Sequence, residues 1–467
     1  MRNKSVFLLL LWCFLTMLSL YACGSPDEKW PEYSGSMENY EFFYTDDRNR
    51  MWEEDILFVA EQFLNGHPRL ADDDFFIRTS ELPLGETEYS YSRQFFNDTI
   101  RNEFISEINN LIINIPKYND AQIQYEVKKL VTILNDSVTR IDVKVSALIP
   151  FCFEPIGNEA DMQFCLTFAA EGYESLLGKK LKSINNTPIE EIVAKMSSFF
   201  PKENDFWFIH QMVYRYDFLL LMQKNALCAV GVVDANDEQV LLTFETEDGN
   251  VSEIVRFISL DDYARTSMCY HEMLYSELTH LTKQENYWVD VVSRGDRSYI
   301  YVRIYSLLQG EYDINRFLID VSNTIRANEG KAKLIIDLRD NRGGDRFDDA
   351  FSSFARTINR YEPSGTFILV NGATFATAVD TAYLLRNTIE NAILVGSPTG
   401  QYINRFSRTL TTHTPNHGLG CVIPSMYMYG DPDSQEVTLS PDVIKYQTWS
   451  DYQESRDTVL EYVIALE

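Results

Sequence analysis

The sequence is poor in the residues from which metal centres and disulfide frameworks are made. Its six histidines are scattered, and no pair is placed as a helical zinc site requires. None of its seven cysteines falls in a Cys-x-x-Cys or Cys/His cluster. No metal and no cofactor is therefore expected. Basic residues are also short: 41 Lys+Arg stand against 69 Asp+Glu, a formal charge of −28. Such a surface repels phosphate backbones, which argues against nucleic acid as a partner. There is no internal repeat or low-complexity tract. Long apolar runs are limited to the first residues, where Val6 to Leu20 extends for 15 residues, short of the ~20 that span a bilayer as a helix.

That run has the form of an export signal. Arg2 and Lys4 precede it, and Leu20-Tyr21-Ala22-Cys23 follows with a small residue before the cleavage point. The Leu-x-Ala-Cys order resembles a bacterial lipobox, which implies a signal peptide over 1–22 and lipidation at Cys23. Several acyl chains on one residue anchor stably at ~0.8 kcal/mol per buried methylene. Residues 23–45 then read as a tether. The expected location is the cell envelope, lipid-anchored to the outer membrane and facing either the periplasm or the outside. Beyond Cys13 and Cys23 the five remaining cysteines, Cys152, Cys165, Cys228, Cys269 and Cys421, mostly have apolar neighbours and are expected as buried thiols. A Cys152–Cys165 bridge is the alternative.

The 467-residue chain has 45% hydrophobic residues, enough for a sizeable core and more than one domain. Trp52 to Phe63 carries an amphipathic pattern, and helical periodicity returns through 92–134, so 46–145 is expected to be a mostly helical subdomain. Residues 146–258 read as a small mixed β/α segment. Its Ile184-Asn185-Asn186-Thr187-Pro188 turn and following helix resemble a PDZ-like domain, Asn186 tolerating the positive φ at which Gly is more usual. From 259 to 467 strands alternate with helices. Leu334–Leu338, Phe367–Val370 and Ile393–Val395 are continuous apolar runs, as in a parallel sheet buried on both faces. The expected class is α/β.

The chemistry should gather where strands end. After Leu338 come Arg339-Asp340-Asn341-Arg342-Gly343-Gly344, and after Val370 come Asn371-Gly372-Ala373-Thr374-Phe375-Ala376-Thr377. A Gly-Gly pair exposes backbone N–H groups suited to an oxyanion, so Gly343, Gly344, Asn371 and Gly372 are candidate ligand-binding positions. Taken in order, these segments resemble motifs of the S41 (tail-specific, C-terminal processing) serine peptidases. Asp337 to Gly344 is similar to their DLRxNxGG element, Val370 to Ala378 to their nucleophile segment, and Val395 to Gly400 to their GEPTG turn. Gly430 to Ser434, Ser440 to Val443, Trp52 to Asp55 and His67-Pro68 resemble exported Bacteroides-type members. The resemblance spans roughly residues 50–465. It implies an S41-like (ClpP/crotonase-like) core and a cleft between the ends of strands 334–338 and 367–370 that faces loop 136–139.

It also implies where catalytic residues should be, and they are missing. Ala376 stands at the nucleophile serine. Val138, in Asp136-Ser137-Val138-Thr139, stands at the general-base histidine. Gln401 occupies the place where other branches carry a lysine, and Ser397 replaces the glutamate of the turn. Acyl transfer needs a nucleophile and a base in contact. The expected function is thus that of a pseudopeptidase that binds peptides, unfolded protein or polypeptide ends. The alternative is an active peptidase with a rearranged site, Thr377 being the substitute nucleophile. Asp345 and Asp380 are read as solvated carboxylates, and His413 and His417 as surface residues of a late hairpin.

Overall fold

The computed structural model describes residues 44–71, 76–81, 88–158, 160–214, 220–270, 285–294, 297–310, 313–430 and 437–466. The expected signal, the Cys23 lipid site, the tether up to residue 43 and the fragment Asp431-Pro432-Asp433-Ser434 lie outside the described residues. Among the described residues no helix is long and apolar enough to cross a membrane.

Three sheets organise the α/β chain. The first has the order Tyr287–Arg294, Arg297–Ile304, Ala332–Asp337, Thr366–Val370, Ile393–Gly396 and Val443–Ile444. Only the first pair is antiparallel. Every residue of Ala332–Asp337 and Thr366–Val370 is buried, which is why these strands read as unbroken apolar runs. Helices Ile314–Ala327, Asp348–Tyr361 and Thr377–Thr388 make the crossovers. In the first of them Asp313 caps the start by accepting from the Arg316 N–H. Its stripe of Ile314, Phe317, Leu318, Val321 and Ile325 is buried, each side chain stabilising the fold by roughly 1.5–3 kcal/mol.

The second sheet runs Met268–Tyr270, Gln163–Ala170, Lys180–Ile184, Gln239–Thr246, Gly249–Arg256, with Phe151–Ile156 on the outer side of Gln163–Ala170. It therefore continues past the expected boundary at 258. Asn185 and Asn186 both have positive φ, 47° and 63°, in a two-residue turn between Lys180–Ile184 and Thr187–Pro188. Primed turns need that conformation, and asparagine tolerates it. All five cysteines among the described residues are free thiols. Cys152 pairs across the ladder with Phe168, and Cys165 with Glu154, so the alternative bridge is not formed.

The third sheet adds strands to the mostly helical N-terminal part. Helices Asp47–Gly66, Asp98–Asn114 and Asp120–Leu130 are present, the last with a reciprocal Asn119/Gln122 capping box. Strands Phe76–Glu81, Glu88–Tyr91 and Arg140–Asp142 join them; the first and third pair with Gly420–Tyr429 from the far end of the chain, Glu88–Tyr91 pairs with Phe76–Glu81, and Arg405–His413 lies on the other side of Gly420–Tyr429. The helices pack on Ile141, Leu419, Cys421 and Ile423. Sequence periodicity reports local geometry, and this pairing partner lies some three hundred residues away.

Candidate functional site

The loops after Ala332–Asp337 and Thr366–Val370 are tied to each other. Asn371 Nδ2 donates to Asp340 Oδ1 (2.8 Å), its Oδ1 accepts from the Asp340 N–H (2.9 Å), and the Phe375 N–H donates to the Asn341 carbonyl (2.9 Å). The Thr374 hydroxyl reaches the Leu338 carbonyl at 3.0 Å. These bonds drive the chain into a sharp strand-to-helix elbow at Ala376, with φ +52° and ψ −130°. A side chain at positive φ is disfavoured, on the order of 1–3 kcal/mol. Hydrolase nucleophiles occupy elbows of this kind. Here the elbow carries only a methyl group.

Both backbone groups of Ala376 are occupied. Its N–H donates to Gln401 Oε1 at 2.9 Å, and its carbonyl accepts from Arg405 Nη2 at 3.0 Å. Gln401 Nε2 donates to Ser137 Oγ (2.9 Å), and Ser137 Oγ donates to Glu203 Oε1 (3.0 Å). The second Glu203 oxygen accepts from the Tyr402 N–H. Gln401, Ser137 and Glu203 are all buried. Burial pushes the Glu203 carboxyl up to about 8; the nearby charge of Asp136 adds to this, whereas the Tyr402 N–H and Arg405 oppose it. Arg405 is itself buried against Asp380 at 2.7 Å. Asp380 is therefore not a solvated carboxylate, and burial, only partly offset by Arg405, raises its pKa.

Loop 136–139 thus meets the elbow through Ser137 and Gln401. Val138 is half-buried in an apolar cluster around Phe406 and Tyr427. Behind it, His67 Nδ1 accepts from the Arg69 N–H (3.2 Å), leaving Nε2 to donate to Asp136 Oδ2 at 3.2 Å. Burial depresses the His67 pKa despite that carboxylate. Asp136 Oδ1 in turn accepts from the Val138 and Thr139 N–H groups, fixing the loop.

Other candidates are drawn into structural work. The Gly343 N–H, expected to face a ligand, donates to Asn341 Oδ1 at 2.9 Å. A Cβ on Gly343 would lie 2.8 Å from the Ala376 Cβ, so glycine is what lets this loop lie on the elbow. The Gly372 N–H donates to Ser397 Oγ at 3.1 Å, and a Cβ there would meet the Phe206 carbonyl at 2.6 Å. Asn371 spends its amide on Asp340 and the turn. Thr377 Oγ1 donates to the Gly344 carbonyl at 3.2 Å, fastening the helix start rather than facing a base. Asp345 is exposed, as expected. His413 is exposed too, but His417 stacks on Trp52 with ring centroids 3.5 Å apart and pairs with Asp55 at 2.8 Å, joining the hairpin to the first helix.

Sequence reasoning missed Ser137, Glu203 and Arg405, and also the helix Asp205–Tyr214 that covers the site. Trp207 of that helix stacks on Phe375 at 3.9 Å, with the Arg342 guanidinium 5.3 Å from the Trp207 ring centre. Glu203 gave no signal of this in the sequence, where it sits in the polar run Lys202-Glu203-Asn204-Asp205.

No protein-family model and no curated protein matches this sequence significantly. Solved structures do. Mature CPAF complexed with lactacystin aligns over 89% of this chain and 97% of its own, with a TM-score of 0.59 at 10% identity. A serine-to-alanine mutant of CPAF aligns over 87% and 95%, with a TM-score of 0.56, also at 10% identity. The photosystem II D1 C-terminal processing protease aligns over 86% and 94% at 10% identity, with a TM-score of 0.35. The chain accordingly has the fold seen in CPAF.

Proposed function

We propose that this protein is a lipid-anchored pseudopeptidase of the cell envelope, of the Bacteroides type, that binds polypeptide without cutting it. One observation carries the reading: the strained elbow is kept, yet it presents Ala376, whose N–H is filled by Gln401. The base position, Val138, packs among aromatic side chains. By analogy with triad dissections, loss of nucleophile and base lowers turnover on the order of 10⁶-fold. Polypeptide ligands fit the shared fold, and a lipid anchor fits the Leu-x-Ala-Cys23 order.

The full chain, purified in detergent and incubated with a mixed peptide library, should yield no new termini by mass spectrometry, and Thr377→Ala should behave identically. Fluorescence polarisation with the same peptides should detect saturable binding. Cleavage by the parent that is lost in Thr377→Ala would overturn the reading in favour of a relocated nucleophile. Incorporation of labelled fatty acid in cells, abolished by Cys23→Ala, checks the anchor.

A further inference from the structure

The N–H of Ala376 lies at the half-buried turn of the elbow, and its partner comes from a side chain rather than from the backbone. Backbone partners are fixed by the fold, whereas a glutamine side chain has three rotatable bonds and can leave. Gln401 presents a primary carboxamide, chemically the same group as a peptide bond in its oxygen acceptor. Its far end is held by the Ser137 hydroxyl, which is held by Glu203. The anchor is itself anchored: Glu203 accepts the Tyr402 N–H, from the residue next to Gln401. The elbow is not sealed by the surrounding core, for Ala376 and Thr377 are only half-buried while Gln401 is fully buried.

We infer that the Ala376 N–H is a receptor for a single amide or terminal carbonyl oxygen, and that Gln401 is its resident occupant, which a polypeptide ligand must displace. The inference rests on the polypeptide-binding reading above and adds the point at which the ligand is held and what competes with it. Ser137 then acts as a latch, because removing its hydroxyl frees the Gln401 Nε2 without altering the receptor. Affinity in the parent is the intrinsic affinity multiplied by the fraction of molecules in which Gln401 is undocked, as for any ligand that needs a minor state.

The test compares the parent with Gln401→Gly, using fluorescent peptides and propionamide, a small carboxamide the size of the deleted side chain. Peptide should bind Gln401→Gly at least about tenfold more tightly than the parent. Propionamide should compete with peptide in the variant and leave binding to the parent unchanged. It should also raise the melting temperature of the variant alone. Ser137→Ala, which keeps Gln401, should give an intermediate gain in affinity and serves if Gln401→Gly does not fold. Equal peptide affinity in all three proteins, with no effect of propionamide, would overturn the receptor while leaving polypeptide binding in place. If no peptide binds any of them, stabilisation of Gln401→Gly by propionamide reports only the refilled side-chain cavity, and both the receptor and the polypeptide reading fail. Silence in every assay removes both.

Discussion

Replacement of Glu203 by glutamine should make the protein more stable than its parent above pH 5, by an amount that grows until about pH 8 and then levels off. In the fold, burial keeps the Glu203 carboxyl protonated up to about 8, whereas the ordinary value of 4.5 describes the unfolded chain. Between those limits the folded protein binds more protons than the unfolded one, so stability falls as pH rises through the window. Below 4.5 both states are protonated and nothing is lost. Across the whole window the loss is on the order of 5 kcal/mol, from 1.36 kcal/mol per pH unit. Glutamine keeps the shape and an acceptor for the Tyr402 N–H but has no proton to lose. Asp136 and Arg405 act on Glu203 in the parent, and both are retained in the variant. Urea midpoints of the two proteins between pH 5 and 9 measure it. Parallel curves would mean that Arg405 keeps Glu203 ionised throughout, and that the relay to Gln401 is held by a charge.

The second large effect lies on the opposite side of the same loops. Asp337, 1% exposed, receives Arg303 at 2.7 Å and Arg339 at 2.7 Å, and accepts from the Tyr301 hydroxyl. Burial works to raise its pKa, but the two guanidinium groups outweigh it and hold the carboxyl well below the usual carboxylate range. Arg339 also grips Asp457, the residue that caps the final helix Thr458–Ala465. Asp337→Ala would leave Arg303, which is as deeply buried as Asp337, with only its 3.4 Å contact to Asp340, and should cost roughly 3–5 kcal/mol. Denaturant unfolding measures the loss. Because buried pairs contribute little net stability when removed together, Arg303→Met combined with Asp337→Leu should recover most of it. A double variant no better than Asp337→Ala would show that Arg303 has a role beyond neutralising Asp337.

Seen this way, the Asp-Leu-Arg stretch that looked like part of a reaction centre is a clamp between the central sheet and the last helix. Its position was legible from sequence because strands buried on both faces leave continuous apolar runs, and because Gly343 is demanded locally by contact with the elbow. The convergence of Ala376, loop 136–139 and Gln401 was legible too, through ordered motifs. What could not be read was the chemistry linking them. Ser137, Glu203 and Arg405 owe their roles to partners distant in the chain, and a hydroxyl or carboxyl carries no sequence mark of being buried. The helix Asp205–Tyr214 was obscured for another reason: Phe206 to Ile209 are apolar at four successive positions, which hides any 3.6-residue period.

The strand Gly420–Tyr429 pairs on one side with Arg405–His413 and on the other with Phe76–Glu81 and Arg140–Asp142. A chain growing from its N-terminus therefore makes the outer strands and helices of this sheet long before the strand that joins them. Until then those strands have no template, and the faces of helices Asp47–Gly66 and Asp98–Asn114 that pack on Leu419 and Ile423 stay uncovered. Pairing across so many residues carries a large loop-closure cost and is slow. The N-terminal third is thus committed to its final structure only when synthesis is nearly over, and a ribosome-bound fragment that stops before residue 420 should remain open to protease in just that third.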